Sequence, residues 1–104
     1  MLEKEKEDKP AMHLISKEFL DEVALVRMYG NKKYQGEESW RLAEDMDYLD
    51  AALRHLLETV EAVRRDDHPR LYDSESGLLH LGHAATNIMF VLTRIKEQER
   101  EAGL

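Results

Sequence analysis

The sequence predicts an all-α protein, a small bundle of three main helices completed by oligomerisation. Three observations carry this prediction. Only five Gly and two Pro interrupt 104 residues, which leaves long helix-compatible runs. Apolar residues return every three or four positions through most of the chain, the period of an amphipathic helix. Finally, three helices, the last two long and antiparallel, are too thin a layer to hide every apolar face, so association with further copies is the natural completion.

Residues 1–9, "MLEKEKEDK", are almost wholly charged. Such a segment has nothing to bury, which predicts a disordered tail followed by one domain over 10–104. Ser16 is placed to cap a first helix over about 17–30, with Glu18, Asp21 and Glu22 near its positive end and Gly30 as its expected C-cap. "NKKYQGEESW" (31–40) has no period and is expected to be a loop carrying two aromatics. Leu42, Met46, Leu49, Leu53, Leu56, Val60 and Val63 then mark a second helix over about 41–65. Pro69 and a cluster of Asp and Ser mark a connection, and Asp73 or Ser74 is expected to cap a third helix over about 75–100.

Composition excludes several classes of function. The formal charge is −7 and every basic cluster is interspersed with acids, which argues against nucleic acid as a partner. An acidic chain can still bind a small phosphorylated ligand, because a divalent cation inverts the local sign of the pocket. Zero cysteines remove disulfides, thiolate metal sites and thiol nucleophiles together. Neither an apolar leader nor a run approaching 18 apolar residues is present, so the reading is of a soluble, cytoplasmic protein with no membrane partner.

The third helix holds the sharpest signal, "HLGHAATN" (80–87). At about 100° per residue, Leu78, Leu81, Ala85, Ile88, Leu92 and Ile95 form one apolar seam. His80, His83 and Asn87 fall within about 60° of one another on another side. Their neighbours Ala84, Phe90 and Val91 are apolar, so the polar trio is expected inside a second buried interface. The second helix repeats the arrangement, with a leucine row on one side and Glu44, Ala51, His55, Glu58 and Ala62 on the other. If those two sides meet, three imidazoles, a carboxylate and an amide converge. A hydrogen-bonded structural role is the ordinary one for buried histidine. Three polar groups on an apolar face argue for more, since each costs roughly 1–3 kcal/mol if left unsatisfied.

These residues also carry a resemblance. "KPAMHLISKEFLDEVALVRMYGNKKY", "SW", "AALRHLLE" and "DSESGLLHLGHAATNIMFVL" resemble, in order and spacing, the phage and prophage dATP/dGTP diphosphohydrolase N-terminal domain family. Asp73, Glu75, Ser76, Gly77, His80, His83, Ala84 and Asn87 fit that family's D-x-E-S-G-x-x-H-x-x-H-A-x-x-N pattern. Gly30, Lys33, Tyr34, Trp40, Arg54 and His55 match its other fixed points. The chain departs from the family where Ser16 and Lys17 stand in place of a Pro-Pro pair and where Ser39 precedes the Trp. The family name implies an activity like that of the all-α MazG-type pyrophosphohydrolases, whose paired carboxylate motifs find only a partial echo here in "EDMD" (44–47).

The resemblance implies a metal-dependent diphosphohydrolase that cuts a purine (deoxy)nucleoside triphosphate to monophosphate and pyrophosphate. Glu75, His80 and His83, with His55 or Glu58 from the second helix, are the expected holders of a divalent ion, Mg²⁺ or Mn²⁺ with Zn²⁺ as a further option, and Glu75, His55 and Glu58 are the expected catalytic groups. Lys33 and Arg54 are expected on phosphate oxygens, Tyr34 or Trp40 on the purine, and Asn87 on a base edge or a histidine. Two alternatives stand beside the enzyme: a protein that binds or sequesters a nucleotide without cleaving it, and a structural homo-oligomer whose histidines hydrogen-bond one another.

Overall fold

The computed structural model describes residues 9–104, so all but Lys9 of the expected tail lies outside the described residues. Three α-helices account for most of the chain: α1 (Lys17–Tyr34), α2 (Asp45–Arg64) and α3 (His80–Glu101). Short 3₁₀ turns at Met12–Leu14, Ser39–Leu42 and His68–Leu71 join them, and the described residues contain no strand. None of these helices is long and apolar enough to cross a membrane.

The helix ends correct the sequence expectation in three places. Ser16 does cap α1, its hydroxyl accepting the Phe19 N–H at 3.1 Å. Gly30, however, is not the C-cap. The helix continues through "NKKY", with Lys32 and Lys33 favourably placed at its negative end, and ends at Gln35 in the left-handed conformation (φ 58°). The second helix begins at Asp45 rather than 41. Glu44 and Asp47 form a reciprocal capping box there, and Ser39–Leu42 is held apart as a 3₁₀ turn. The third helix starts at His80, not 75. Asp73 and Ser76 spend their side chains on a tight turn of their own, closed by an antiparallel bridge between Tyr72 and Leu79.

The packing reverses the expected core. α3 lies mainly along α2 and less extensively on α1. The faces that meet are the alanine and histidine sides, with Ala52, Ala62 and Ala84 only 2–3% exposed and His80 8% exposed. The leucine rows predicted to be the seam face outward: Leu49, Leu53, Leu56, Val60 and Val63 on α2, and Leu81, Ile88, Leu92 and Ile95 on α3, are 37–69% exposed. Small side chains let two helix backbones approach closely, whereas opposed leucines hold them apart. The polar groups between the helices satisfy one another, which offsets the cost of burying them.

α1 crosses α3 at Gly82, where a Cβ would stand 3.3 Å from Val26 Cγ2 and 3.5 Å from both the Cβ and the carbonyl oxygen of Glu22. Thr86, one turn on, is 2% exposed and donates its hydroxyl to the Gly82 carbonyl at 2.8 Å. A side chain larger than methyl at position 82 must push α1 away from α3. Gly82→Leu is therefore expected to lower the unfolding free energy by about 1–3 kcal/mol, despite leucine's better helix propensity, and a urea titration followed by circular dichroism measures it. An unchanged midpoint would remove this crossing from the account of the fold.

Candidate functional site

The turn between α2 and α3 sets the chemistry of the site. The Asp73 N–H donates to the Leu78 carbonyl and the Gly77 N–H to the Asp73 carbonyl, both at 2.8 Å. The Asp73 side chain accepts the Ser76 N–H at 2.8 Å, and Gly77 takes φ +74°, which a side chain would strain. The Ser76 hydroxyl accepts the Leu78 N–H at 3.2 Å, which leaves its proton free for His83 Nε2 at 2.6 Å. That hydrogen bond assigns His83 the Nδ1–H tautomer. The Asp73 carboxylate lies 3.8 Å from the same Nε2 rather than from Nδ1, so Ser76, His83 and Asp73 do not form a hydrolytic triad, in which the acid must hold the opposite nitrogen.

His55 on α2 meets this cluster from across the seam. Its Nδ1 lies 2.8 Å from His80 Nδ1, and its ring stacks on that of His83 with centroids 4.7 Å apart and planes 14° from parallel. One nitrogen from each of His55 and His80 and one Asp73 oxygen lie within 4.8 Å of one another. Burial pushes the His55 and His83 pKa values down, and the neighbouring imidazoles add to the effect. Burial also acts on the Asp73 carboxyl, upward, but hydrogen bonds from Ser76 and the nearby imidazoles bring its pKa below the usual range.

A cleft of about 740 Å³ opens over one side of this cluster. Its walls bring together Lys33, Tyr34, Trp40, Arg54, His55, Glu75, His83 and Asn87, eight of the ten candidate residues, from α1, α2, α3 and both connections. The other two, Glu58 and His80, line a separate, shallower hollow of about 500 Å³. Asp73 lines both, so the imidazole cluster is the partition between them. Glu58 is paired with Arg70 at 3.0 Å, and that bond draws its pKa below the ordinary glutamate value.

Glu75 is not beside His80 but at the mouth of the cleft. Its carboxylate accepts from the Lys33 ammonium and, at 2.9 Å, from the Tyr29 hydroxyl, and these two bonds lower its pKa while Glu75 raises that of Lys33. Trp40 stacks parallel on Phe90 at 4.7 Å, with the Arg41 and Arg94 guanidiniums 4.3 and 5.1 Å from its ring centre. It is an anchored wall, whereas Tyr34 is largely exposed. Arg54 has only a 3.8 Å contact with Asp50 and stays open to solvent. Sequence reasoning missed Tyr29, Arg70 and the role of Asp73. The first two carry no motif of their own, and Asp73 looks like a helix cap until the turn is seen.

Comparison with known proteins identifies the family of the chain. Residues 2–102 match the family model described as "dATP/dGTP diphosphohydrolase, N-terminal". The chain belongs to that family. Its resemblance to a dATP/dGTP diphosphohydrolase of Salmonella phage PMBT28 is 39% identity over 83 residues, which is 80% of this chain and 26% of the relative. The chain thus spans about a quarter of the length of the relative it matches. No solved structure matches. The family's D-x-E-S-G pattern acquires a physical reading here: Asp73, Ser76 and Gly77 build the turn, Ser76 holds His83, and Glu75 is presented at the cleft mouth.

The lowered imidazole pKa values have a signed consequence for stability. The unfolded chain takes up protons on His55 and His83 near pH 6.5, while the folded chain resists until a lower pH. Between those values the unfolded state binds more protons, so stability falls as pH drops through about 6.5 and below. Carboxylates whose pKa values are lowered, Asp73 and Glu75 among them, act separately, in the window at and below about pH 4. The thermal midpoint is expected to fall from pH 7.5 to 5.5, and His83→Gln to flatten that slope. A slope equally steep in the variant would mean that other groups control it.

Proposed function

We propose that the cleft binds a purine (deoxy)nucleoside triphosphate together with a divalent cation, Mg²⁺ or Mn²⁺, and that the domain takes part in hydrolysing it to the monophosphate and pyrophosphate. The observation that carries this reading is the convergence of Lys33, Arg54, Tyr34, Asn87 and the histidine cluster on one cavity, of a size that fits a nucleotide. The phage relative, a dATP/dGTP diphosphohydrolase, supports this choice of substrate class.

In this reading Arg54 and Lys33 meet phosphate oxygens, the exposed face of Tyr34 receives the base, and Asn87 offers both a donor and an acceptor to a base edge. Trp40 shapes the wall through its stack on Phe90. The cation neutralises phosphate charge and lowers the pKa of bound water. Glu75, which lines the cleft, accepts the proton of the attacking water as the water oxygen bonds to the α-phosphorus and pyrophosphate departs with the electron pair of the broken P–O bond. Glu58, in the other hollow and paired with Arg70, supports the histidine wall rather than the reacting atoms.

A panel of dNTPs with Mg²⁺ or Mn²⁺ tests the proposal. Arg54→Ala is expected to lose about 10–100-fold in kcat/KM, as for removal of a charge-assisted hydrogen bond, and Glu75→Gln to lose more, chiefly in kcat. Binding of dGTP with the ligand recovered intact would select the non-catalytic alternative. Failure of every nucleotide either to bind or to turn over would discard the reading.

The reading extends to a homo-oligomer in which a second copy covers the outward leucine rows. Two antiparallel helices that each present such a row can pair with the same two helices of a copy as a four-helix layer. Leu53 and Leu92, 58% and 56% exposed, are suited to the test. Light scattering on Leu53→Lys is expected to show a smaller species than the native chain, with helicity retained. A native chain that is itself monomeric would overturn it.

A further inference from the structure

Proximity alone does not distinguish a metal centre from a hydrogen-bonded cluster; the use made of each polar atom does. His55 and His80 direct Nδ1 at Nδ1 across 2.8 Å, from two different helices. Without a third party, that contact requires opposite tautomers and gives one N–H···N bond between a buried His80 and a half-buried His55. Two cis ligands of one ion, with metal–nitrogen bonds of about 2.0–2.1 Å, stand about 3.0–3.4 Å apart, close to the separation already present. The Asp73 carboxylate is the third donor, with one oxygen within 4.8 Å of a nitrogen of each ring.

The surroundings are those of a ligand set. Asp73 is oriented by the Ser76 N–H at 2.8 Å, as ligating carboxylates ordinarily are. The His55 ring is fixed by its stack on His83, whose Nε2 is occupied by Ser76. Among the described residues no Lys or Arg is paired with Asp73; Lys33 and Arg70 are paired with Glu75 and Glu58. We propose that the α2–α3 seam holds a divalent transition-metal ion of the imidazole-preferring class, typified by Zn²⁺ and Co²⁺, ligated by His55, His80 and Asp73.

This assignment keeps His80, takes the His55 option from the second helix and replaces Glu75 and His83 of the sequence-derived set with Asp73; its ion is distinct from the Mg²⁺ or Mn²⁺ that accompanies the nucleotide, and the site rests on the nucleotide reading only for what that ion is used for. Two imidazoles and one carboxylate select against Mg²⁺, which prefers oxygen donors, and three protein ligands leave a coordination position for water or a phosphate oxygen. Asp73 lines both cavities, so the ion would sit at the partition between the nucleotide cleft and the smaller hollow.

The test uses the chain stripped with a chelator and measured without nucleotide: equilibrium dialysis against Zn²⁺, and visible absorption on titration with Co²⁺. The expected result is one ion per chain and a Co²⁺ ligand-field band. Affinity should fall by about 100-fold or more in His55→Gln and in Asp73→Asn, beyond the 10–100-fold typical of an outer-shell change, and stay unchanged in His13→Ala on the exposed N-terminal turn. The amide introduced by Asp73→Asn retains an acceptor for the Ser76 N–H, so this variant should fold, and circular dichroism confirms that it does. Wild-type binding no tighter than that of the two variants, or a loss in His13→Ala as large as in them, overturns the inference. A chain that binds Zn²⁺ but hydrolyses and binds no nucleotide sinks the functional reading and leaves the metal site standing. Turnover with Mg²⁺ by a chain indifferent to Zn²⁺ and Co²⁺ sinks the metal site alone.

Discussion

The close approach of α2 and α3 along their small residues is the constraint on which the rest of the molecule depends. Ala52, Ala62 and Ala84 are nearly fully buried, and the space beside them is just wide enough for imidazoles. His55 and His80 touch because of it, and His83 stacks where it does because of it. A leucine seam would bury more apolar surface, at about 25 cal/mol per Å², but it would separate the helices and leave no place for three polar rings. The stability forgone at the seam is instead displaced outward, onto leucine rows that remain uncovered among the described residues. Stability and chemistry are thus assigned to different faces of the same two helices.

The turn before α3 performs the second positioning step. A helix beginning at residue 75 would have pointed Glu75 along the helix axis and left Ser76 in its first turn. The bridge between Tyr72 and Leu79 instead sends Glu75 out to α1 and folds Ser76 back onto His83. α1 answers with Tyr29 and Lys33, four residues apart and therefore on one helical face, which both bond the same carboxylate. α1 is tied to the turn before α3 by this polar contact at the cleft mouth and to the start of α3 by the fit of Gly82 against Val26.

Much of this was legible in the sequence, for reasons that can be named. Helix number follows from the 3.6-residue period and from the scarcity of breakers. The candidate residues were also identified as a group, since eight of the ten line one cleft. The alanine and histidine faces meet as a buried interface, as their apolar neighbours suggest, whereas the leucine rows are not the seam, because bulk hydrophobicity marks the greasiest face and not the face that can approach most closely. The helix starts at 41 and 75 failed for a related reason. Asp, Ser and Glu residues cap turns as readily as helices, and only the partner of each hydrogen bond, such as Asp73 with Ser76 or Glu44 with Asp47, separates the two uses. The pairing of His55 with Asp73 and His80 depends on helix register across the seam, which no single helix encodes.

A chain of net charge −7 that receives a polyanion must do so by exchange rather than by long-range attraction. The geometry at the cleft mouth shows how, on the nucleotide reading. The Glu75 carboxylate already occupies the Lys33 ammonium and the Tyr29 hydroxyl, the positions an incoming phosphate oxygen would take. Being tethered, that carboxylate competes at a high effective concentration, so a lone monoanion gains little by displacing it. A triphosphate can contact Lys33, the loosely held Arg54 and a cation at the same time, and only the sum of such contacts outweighs the internal pair. On that reading the acidic balance of the chain would become a source of selectivity, discriminating by the number of phosphates and by the presence of the cation before any group on the base is read.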